Sequence, residues 1–110
     1  MCGITGILPA NIKFKHNIKN DILGMTESLR HRGPNSLSHY SDEYIALGHT
    51  RLSVLDLSSR ATQPKKSFTG RFILSFNGEI YNHSKLRSEI EKEYGFKNWE
   101  SNSDTLTLVN

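Results

Sequence analysis

The chain has 110 residues, with 14 basic and 11 acidic side chains and a formal net charge of +3. This length fits one domain, and the apolar fraction of 35% predicts an incomplete domain or one that packs against another surface. The charges are scattered and no apolar run approaches the ~18 residues of a membrane span, which argues against a nucleic-acid arm and a transmembrane segment.

Cys2 is the only cysteine, and it directly follows the initiator Met1. Removal of Met1 would leave a thiol and a free α-amine on one residue. Amines of this kind titrate near pH 7.7–8.0 and thiols near 8.5, so the amine can accept the proton that the thiol gives up. That pairing is the logic of an N-terminal nucleophile hydrolase. The alternative is a chance cysteine in a frayed terminus.

The first elements are predicted to be a strand and a helix. Cys2 to Leu8 is expected to form a short buried strand between glycines. A helix should begin at Asn17 as its cap and run to about Arg30. Its apolar residues recur at helical spacing and predict one core-facing stripe, made of Ile18, Ile22, Met25 and Leu29.

The middle of the chain is predicted to hold two strands between loops. Asn35 to Asp42 is polar and predicts a loop. Tyr44 to Thr50 and Arg51 to Leu57 each predict a strand. Ser58 to Thr69, rich in serine, proline and lysine, predicts another loop.

The last part predicts a strand and two helices. The pattern of Arg71 to Phe76 is dense enough for a strand buried on both faces, and the following Asn-Gly pair offers a turn that tolerates positive φ. Asn82 should cap a helix over His83 to Tyr94, with a stripe of Leu86, Ile90 and Tyr94, and Gly95 should end it. Ser103 should cap a last helix that begins at Asp104 and runs to the end of the chain without a stop signal, which predicts a truncated chain.

Asn77 and Gly78 are the first candidates for chemistry, since they follow a predicted strand. A side-chain amide next to an open glycine N–H makes a two-donor pocket that can stabilise an oxyanion, each donor contributing about 2.7–4 kcal/mol. For an Asn-Gly pair taken alone, a plain turn is the simpler reading.

Arg51 and Asp104 are candidates for binding a charged substrate. An arginine can hold a carboxylate with two parallel hydrogen bonds, although an outward salt bridge is the simpler interpretation. Asp104 can cap a helix or face an ammonium group. His31, His49 and His83 lack metal-ligand spacing and are interpreted as structural.

Taken together, the motifs closely resemble the class II glutamine amidotransferase domain, in the version found at the front of glutamine-hydrolysing asparagine synthetases. The similarity covers nearly the whole chain. The resemblance rests on these stretches, in order: Met1 to Gly6, His31-Arg32-Gly33-Pro34, Gly48 to Leu57, Phe76 to Asn82 and Ser103-Asp104-Thr105.

The resemblance implies a role at each matching position. Cys2 would be the nucleophile and, through its amine, the base, and Asn77 with the Gly78 N–H would form the oxyanion hole. The other residues would bind glutamine: Arg51 its α-carboxylate, Glu79 and Asp104 its α-ammonium, and backbone groups around Leu52 and Val54 the rest of the pocket.

The resemblance also sets the expected architecture. It implies an α+β fold, the N-terminal portion of an αββα sandwich, with residues 1–110 as a partial glutaminase domain and the ATP-dependent synthetase domain absent. No cofactor or metal is expected here, since ATP and Mg²⁺ belong to that absent domain. Two positions depart from the usual pattern: Asn35 stands where relatives commonly have Asp, and Leu106 where they usually have Glu.

The predicted function is hydrolysis of glutamine to glutamate and ammonia for the amidation of aspartate. Two rivals remain: a similar amidotransferase that acts on another acceptor in a polysaccharide or secondary-metabolite pathway, and an inactive remnant that serves as a binding or assembly module. The expected partners are glutamine and the synthetase domain, with no nucleic acid and no membrane, and a homodimer is left open. Because the start lacks the features of a signal peptide and the thiol is free, a reducing cytoplasm is expected.

Overall fold

The computed structural model describes residues 2–10, 17–52 and 62–110. It contains short strands, three α-helices and one 3-10 turn among these residues. In chain order they are β1 (Gly3–Ile7), α1 (Ile18–Ser28), the 3-10 turn (Arg30–Arg32), β2 (Ser36–Ser41), β3 (Ala46–Arg51), β4 (Lys65–Lys66), β5 (Ile73–Leu74), α2 (His83–Tyr94) and α3 (Asp104–Val109).

The main sheet is antiparallel, with β3 between β1 and β2. Gly3 lies opposite Thr50, and Ser36 lies opposite Arg51. The start of β1 therefore meets the end of β3. A second, two-stranded antiparallel sheet pairs β4 with β5. The described residues form a small α+β domain, which confirms the predicted fold class. The full αββα sandwich stays a prediction.

Helix α1 covers one face of the main sheet. Ile18 and Ile22 cluster with Ala46 of β3, and Ile7 packs at the margin. Gly48 allows the helix to come close, because a Cβ there would lie 1.9 Å from the Thr26 hydroxyl oxygen. Helix α1 thus packs closely on β3, the strand that ends at the candidate residue Arg51.

The core-facing stripe of α1 differs from the predicted one at its third position. Met25 is 40% exposed, whereas Thr26 is fully buried. The Thr26 hydroxyl lies 3.1 Å from that of Thr5 and donates to the Ile22 carbonyl. The close approach of helix and sheet leaves room for a threonine that can satisfy its hydroxyl, so the apolar pattern alone was misleading.

The prediction of a loop over Asn35 to Asp42 is wrong, because the segment contains β2. Its side chains are all half-buried and mostly polar, and Leu37 is the one aliphatic residue of the strand, so it lacks the apolar alternation that indicates a strand. The ladder with β3 fixes the backbone here, and an edge strand tolerates polar side chains.

The strand predicted over Arg71 to Phe76 is shorter and more exposed in the structure. Arg71 to Phe76 is not buried on both faces: only Ile73–Leu74 is strand, both residues are half-buried, and Phe72 is 55% exposed. The loop predicted over Ser58 to Thr69 contains β4. Arg51, predicted to begin a strand, ends β3 instead, and positions 53–57 lie outside the described residues.

Strand β1 is less buried than predicted. Ile4 is 49% exposed and Leu8 lies beyond the strand at 79% exposed. Only one face of β1 is covered by α1, so alternate side chains point away from the core.

The helices begin at the predicted cap residues, although the predicted N-cap side chains do not all make a hydrogen bond. Helix α2 has the predicted bounds, and Gly95 ends it with a φ of 67°. The Ser103 side chain caps α3 by accepting from the Thr105 N–H at 3.2 Å. Asn17 and Asn82 are the N-cap residues of α1 and α2, as predicted, but their side chains make no cap hydrogen bond.

Arg87 of α2 fastens the beginning of α3. Its guanidinium donates to the carbonyls of Ser101 and Ser103 and to the Thr107 hydroxyl. It also lies over the Trp99 ring, 4.3 Å from the ring centroid, and burial lowers its pKa. These contacts fix the first turn of α3, where Asp104 lies. Within the described ranges, no helix has the length and apolar character needed to cross a membrane.

Candidate active site

Cys2 directly precedes β1, and hydrogen bonds of Cys2 and of its neighbour Gly3 hold it in place. The Gly3 N–H donates to the Thr50 hydroxyl oxygen at 3.0 Å. The Arg32 Nε–H donates to the Cys2 carbonyl at 3.4 Å. The sulfur-bearing residue is half-buried and has no disulfide partner. Met1 lies outside the described residues, so the predicted loss of Met1 stays a prediction.

Asn77 meets Cys2 directly, although the two residues are far apart in the chain. The Cys2 backbone N–H donates to the Asn77 Oδ1 at 3.1 Å. With its oxygen engaged in this way, the Asn77 amide keeps its Nδ2 hydrogens as donors. The contact brings an amide donor beside the predicted nucleophile.

Gly78 lies close to the Phe76 ring and does not have a positive φ. A Cβ at this position would lie 2.6 Å from the tip of the Phe76 ring. The glycines with positive φ among the described residues are Gly70 and Gly95, so the Asn-Gly pair does not use the positive φ that its sequence would tolerate.

Arg51 is the last residue of β3. Because Gly3 pairs with Thr50, Arg51 lies one position beyond that pair, on the side of Cys2. The turn after the 3-10 helix supports it: the Asn35 N–H donates to the Arg51 carbonyl at 3.0 Å. Gly33 makes that approach feasible, since a Cβ there would lie 2.4 Å from the Thr50 carbonyl carbon.

Asp104 connects α3 to the segment that follows Asn77. Its Oδ2 accepts from the Ile80 N–H at 2.8 Å. Glu79, between Gly78 and Ile80, is exposed. A carboxylate can accept several hydrogen bonds, so Asp104 keeps capacity for another donor.

Some of the predicted site residues are thus connected to one another, and others are not. Cys2 and Asn77 are in contact, Arg51 is placed next to them by the strand register, and Asp104 is joined to the same segment through Ile80. Leu52 follows Arg51 and is 38% exposed. Val54 lies outside the described residues.

His49 is buried. The sequence predicted a structural role for it but did not indicate which residue it contacts. It is 1% exposed, and its Nε2 lies 3.3 Å from the Phe76 carbonyl. Burial lowers the pKa of His49; the Phe76 hydrogen bond opposes this, and the nearby Arg51 charge adds to it. The neutral imidazole is therefore the favoured form.

Gln63 is a second contact that sequence reasoning missed. It is 8% exposed, its Oε1 accepts from the Phe76 N–H at 2.6 Å, and its Nε2 donates to the Thr105 hydroxyl at 3.2 Å. It lies within Ser58 to Thr69, the stretch predicted as a loop, where a polar residue gives no signal of burial. Only the three-dimensional contacts reveal it.

Other concave surfaces do not coincide with this set. A cavity of about 410 Å³ is lined by the aromatic residues Phe68, Phe96 and Trp99 among others, and by none of the predicted site residues. Across the described ranges, no cluster of three or more His, Cys, Asp or Glu side chains is arranged to hold a metal ion.

Comparison with known proteins identifies a family to which the chain is similar. The family model for the glutamine amidotransferase domain matches residues 1–110. A probable glutamine-hydrolysing asparagine synthetase of Schizosaccharomyces pombe is 36% identical over 90% of this chain and 17% of its own length. Asparagine synthetase 1 of Bacillus subtilis is 33% identical over 99% of this chain and 17% of its own.

A relative with a different name is about as similar. The amidase chyE of Penicillium rubens is 31% identical over 87% of this chain and 16% of its own length. The chain therefore spans about one sixth of the length of the curated relatives it matches.

Proposed function

Since the chain belongs to the glutamine amidotransferase domain family, we propose that it is the N-terminal part of a glutaminase that uses Cys2 as its nucleophile. The observation that supports this most directly is the 3.1 Å contact between the Cys2 nitrogen and the Asn77 Oδ1. It joins the group that would act as base to the side chain that would bind the oxyanion.

In the proposed reaction, the α-amine of Cys2 takes the thiol proton, and the sulfur attacks the side-chain carbonyl carbon of glutamine. The Asn77 Nδ2 and the Gly78 N–H donate to the oxygen that becomes negative. The C–N bond then breaks, the amine returns its proton to the leaving nitrogen, and ammonia departs. Water hydrolyses the thioester, which releases glutamate and restores the thiol.

Substrate binding is assigned to charged groups around this centre. Arg51 would hold the α-carboxylate with paired hydrogen bonds. Glu79 and Asp104 would face the α-ammonium, and backbone groups near Leu52 and Val54 would line the pocket. Both charged ends of the amino acid are then held while its amide reaches the sulfur, which is the positioning that makes attack effectively intramolecular.

We further propose aspartate as the acceptor of the ammonia, because several similar proteins are named asparagine synthetases. ATP and Mg²⁺ would act in a synthetase region, with no role in these 110 residues. The similarity to the amidase chyE keeps another acceptor as the rival. Adding ATP and aspartate, or other carboxylic acids, to the longest natural form of the protein and identifying the amidated product would decide between them.

The glutaminase proposal is tested on the purified chain. Intact mass spectrometry should show loss of Met1, and incubation with glutamine should yield glutamate, ammonia and a γ-glutamyl adduct on Cys2. Asn77→Ala should lower kcat by about 10²–10³-fold, and Cys2→Ala should abolish turnover. Asn98→Ala, on an exposed residue away from the site, is the control and should keep wild-type rates.

A folded chain without Met1 that forms neither adduct nor glutamate would overturn the proposal and favour a non-catalytic binding module. Circular dichroism of each variant establishes that it is folded.

A further inference from the structure

His49 occupies the centre of the sheet, on the face away from α1. Its neighbours Gly48 and Thr50 contact Thr26 and Leu29 on the α1 side, and side chains alternate along a strand. His49 therefore points to the opposite face. Other residues of that face are less covered, Ile4 being 49% exposed, whereas His49 is 1% exposed.

His49 contacts the segment that leads into residues 76–78, which form the proposed oxyanion turn. The Ser75 hydroxyl donates to the Gly48 carbonyl at 3.2 Å, and the Phe76 carbonyl lies 3.3 Å from the His49 Nε2. His49 and its neighbour Gly48 are thus where this segment is fastened to the sheet.

The chemistry of the contact fixes the tautomer. A carbonyl oxygen only accepts, so Nε2 must carry the hydrogen. Nδ1 is then the unprotonated nitrogen, and within the described part of the chain it is buried without a hydrogen-bond partner. Placing a proton there would create a buried, unpaired charge, which is costly, and burial lowers the pKa of His49 in agreement with this.

Phe76 is held from both sides of its backbone. Its carbonyl accepts from His49, and its N–H donates to the buried Gln63 at 2.6 Å. The carbonyl belongs to the peptide unit that carries the Asn77 N–H. Fixing the plane of this unit fixes the direction in which the next residues leave the sheet, and Asn77 reaches Cys2 from there.

We propose that His49 is a positioning residue for the oxyanion turn, holding the Phe76 carbonyl with a neutral Nε2–H so that Asn77 and Gly78 present their donors beside Cys2. The proposal rests on the glutaminase function proposed above. His49 does not touch substrate, because its Nε2–H donates to the Phe76 carbonyl and its ring is buried.

Kinetics of three variants test the role. His49→Ala removes the donor, and His49→Gln can place an amide N–H near the position of Nε2. His49→Ala should lower kcat about 10- to 100-fold, the scale of a small misplacement of catalytic groups, while KM for glutamine changes less than about 3-fold. His49→Gln should recover most of that loss. His39→Gln, on the neighbouring strand β2, is the matched control and should match wild type.

Nuclear magnetic resonance provides a readout that needs no turnover. The ring nitrogens of His49 in the wild-type chain should report the neutral Nε2–H tautomer at pH 7. The backbone amides of Asn77 and Gly78 should shift in His49→Ala and return towards wild type in His49→Gln.

The outcomes separate the two proposals. An Nδ1–H tautomer or an imidazolium at pH 7 would overturn the positioning role, and so would unchanged Asn77 and Gly78 amides in a folded His49→Ala. A His49→Ala defect confined to KM would also overturn it. If the wild-type chain hydrolyses no glutamine while the tautomer and the amide shifts are as expected, the glutaminase function fails and the contact stands.

Discussion

The two halves of the molecule differ in how their own side chains are packed. The sheet–helix half, made of β1, β2, β3 and α1, contains the largest fully buried side chains of the described residues. Ile22, Thr26 and Thr50 lie between α1 and the sheet, and His49 lies on the opposite face of the sheet. The C-terminal half, made of β4, β5, α2 and α3, includes a helix, α2, that has no buried residue. Its aromatic residues Phe68 and Tyr94 are 69% and 73% exposed.

The difference matters because the candidate site draws on both halves. Cys2 and Arg51 belong to the sheet–helix half, whereas Asn77 and Asp104 belong to the C-terminal half. The halves meet at the site through directed polar contacts such as the one between Cys2 and Asn77. The nucleophile therefore sits on a packed support, and the oxyanion donors are brought to it by hydrogen bonds.

Substituting an isoleucine in each half should reveal the largest difference in stability between the two halves. Ile22→Ala removes a fully buried side chain and should lower the free energy of unfolding by about 2–5 kcal/mol. Ile90→Ala removes a half-buried one in α2 and should cost about 1 kcal/mol. Urea unfolding followed by circular dichroism measures both, and equal losses would contradict the contrast.

Two glycine substitutions test how closely α1 packs on the sheet within the sheet–helix half. Gly48→Ala would place a Cβ 1.9 Å from the Thr26 hydroxyl oxygen and should destabilise the chain by about 1–3 kcal/mol. Gly24 lies in α1 with nothing within 4 Å of an added Cβ, so Gly24→Ala should raise stability by up to about 1 kcal/mol. Thermal unfolding of both variants gives the two signs, and a tolerated Gly48→Ala would show that α1 is less closely packed than described.

In the C-terminal half, the Ser103 cap of α3 is expected to contribute measurably to the free energy of unfolding. Ser103→Ala removes the acceptor for the Thr105 N–H and should cost about 1 kcal/mol. Ser88→Ala, inside α2 where the hydroxyl donates to the Ser84 carbonyl, is the control and should be neutral or slightly stabilising. Hydrogen exchange of the α3 amides, read together with urea unfolding, should show faster exchange in Ser103→Ala alone.

The smallest effect concerns pH and the contact between the halves. The pKa of His49 is lowered from its ordinary value of 6.5, mainly by burial, so as pH falls below that value the unfolded chain binds the proton first. The stability contributed by neutral His49 is complete above about pH 6.5 and is lost as pH falls through the lowered pKa. The unfolding free energy should therefore drop less steeply with acid in His49→Gln than in wild type. His31→Gln, at an exposed position, should follow the wild-type curve.

The sequence predicted most where local signals act alone. Helix α2 begins and ends at the predicted residues because Gly95 provides a left-handed end, and Ser103 caps α3 through a neighbouring N–H. Strand β2 was missed because its polar residues become strand only through pairing with β3. Met25 was expected in the core and Thr26 was not, because the spacing of apolar residues carries no information on how closely a sheet approaches.

The candidate site divides in the same manner. Cys2, Asn77 and Arg51 belong to motifs that are visible in the sequence, and their neighbourhood could be anticipated from the resemblance. His49 and Gln63 could not be given contacts in advance, since both act on the backbone of Phe76 and a backbone atom leaves no trace in the sequence. The residues that would do chemistry are thus easier to predict than those that hold them in place.

The threonine- and glycine-lined contact between α1 and the sheet also bears on how the protein responds to temperature. Few apolar side chains are buried among the described residues: Ile18, Ile22, Ala46, Leu106 and Val109. The heat capacity increment of unfolding grows with apolar surface and shrinks with polar surface exposed. This chain should therefore have a small increment and a flat stability curve, so that cooling or warming by a few tens of degrees changes its folding equilibrium less than is usual for a domain of its size.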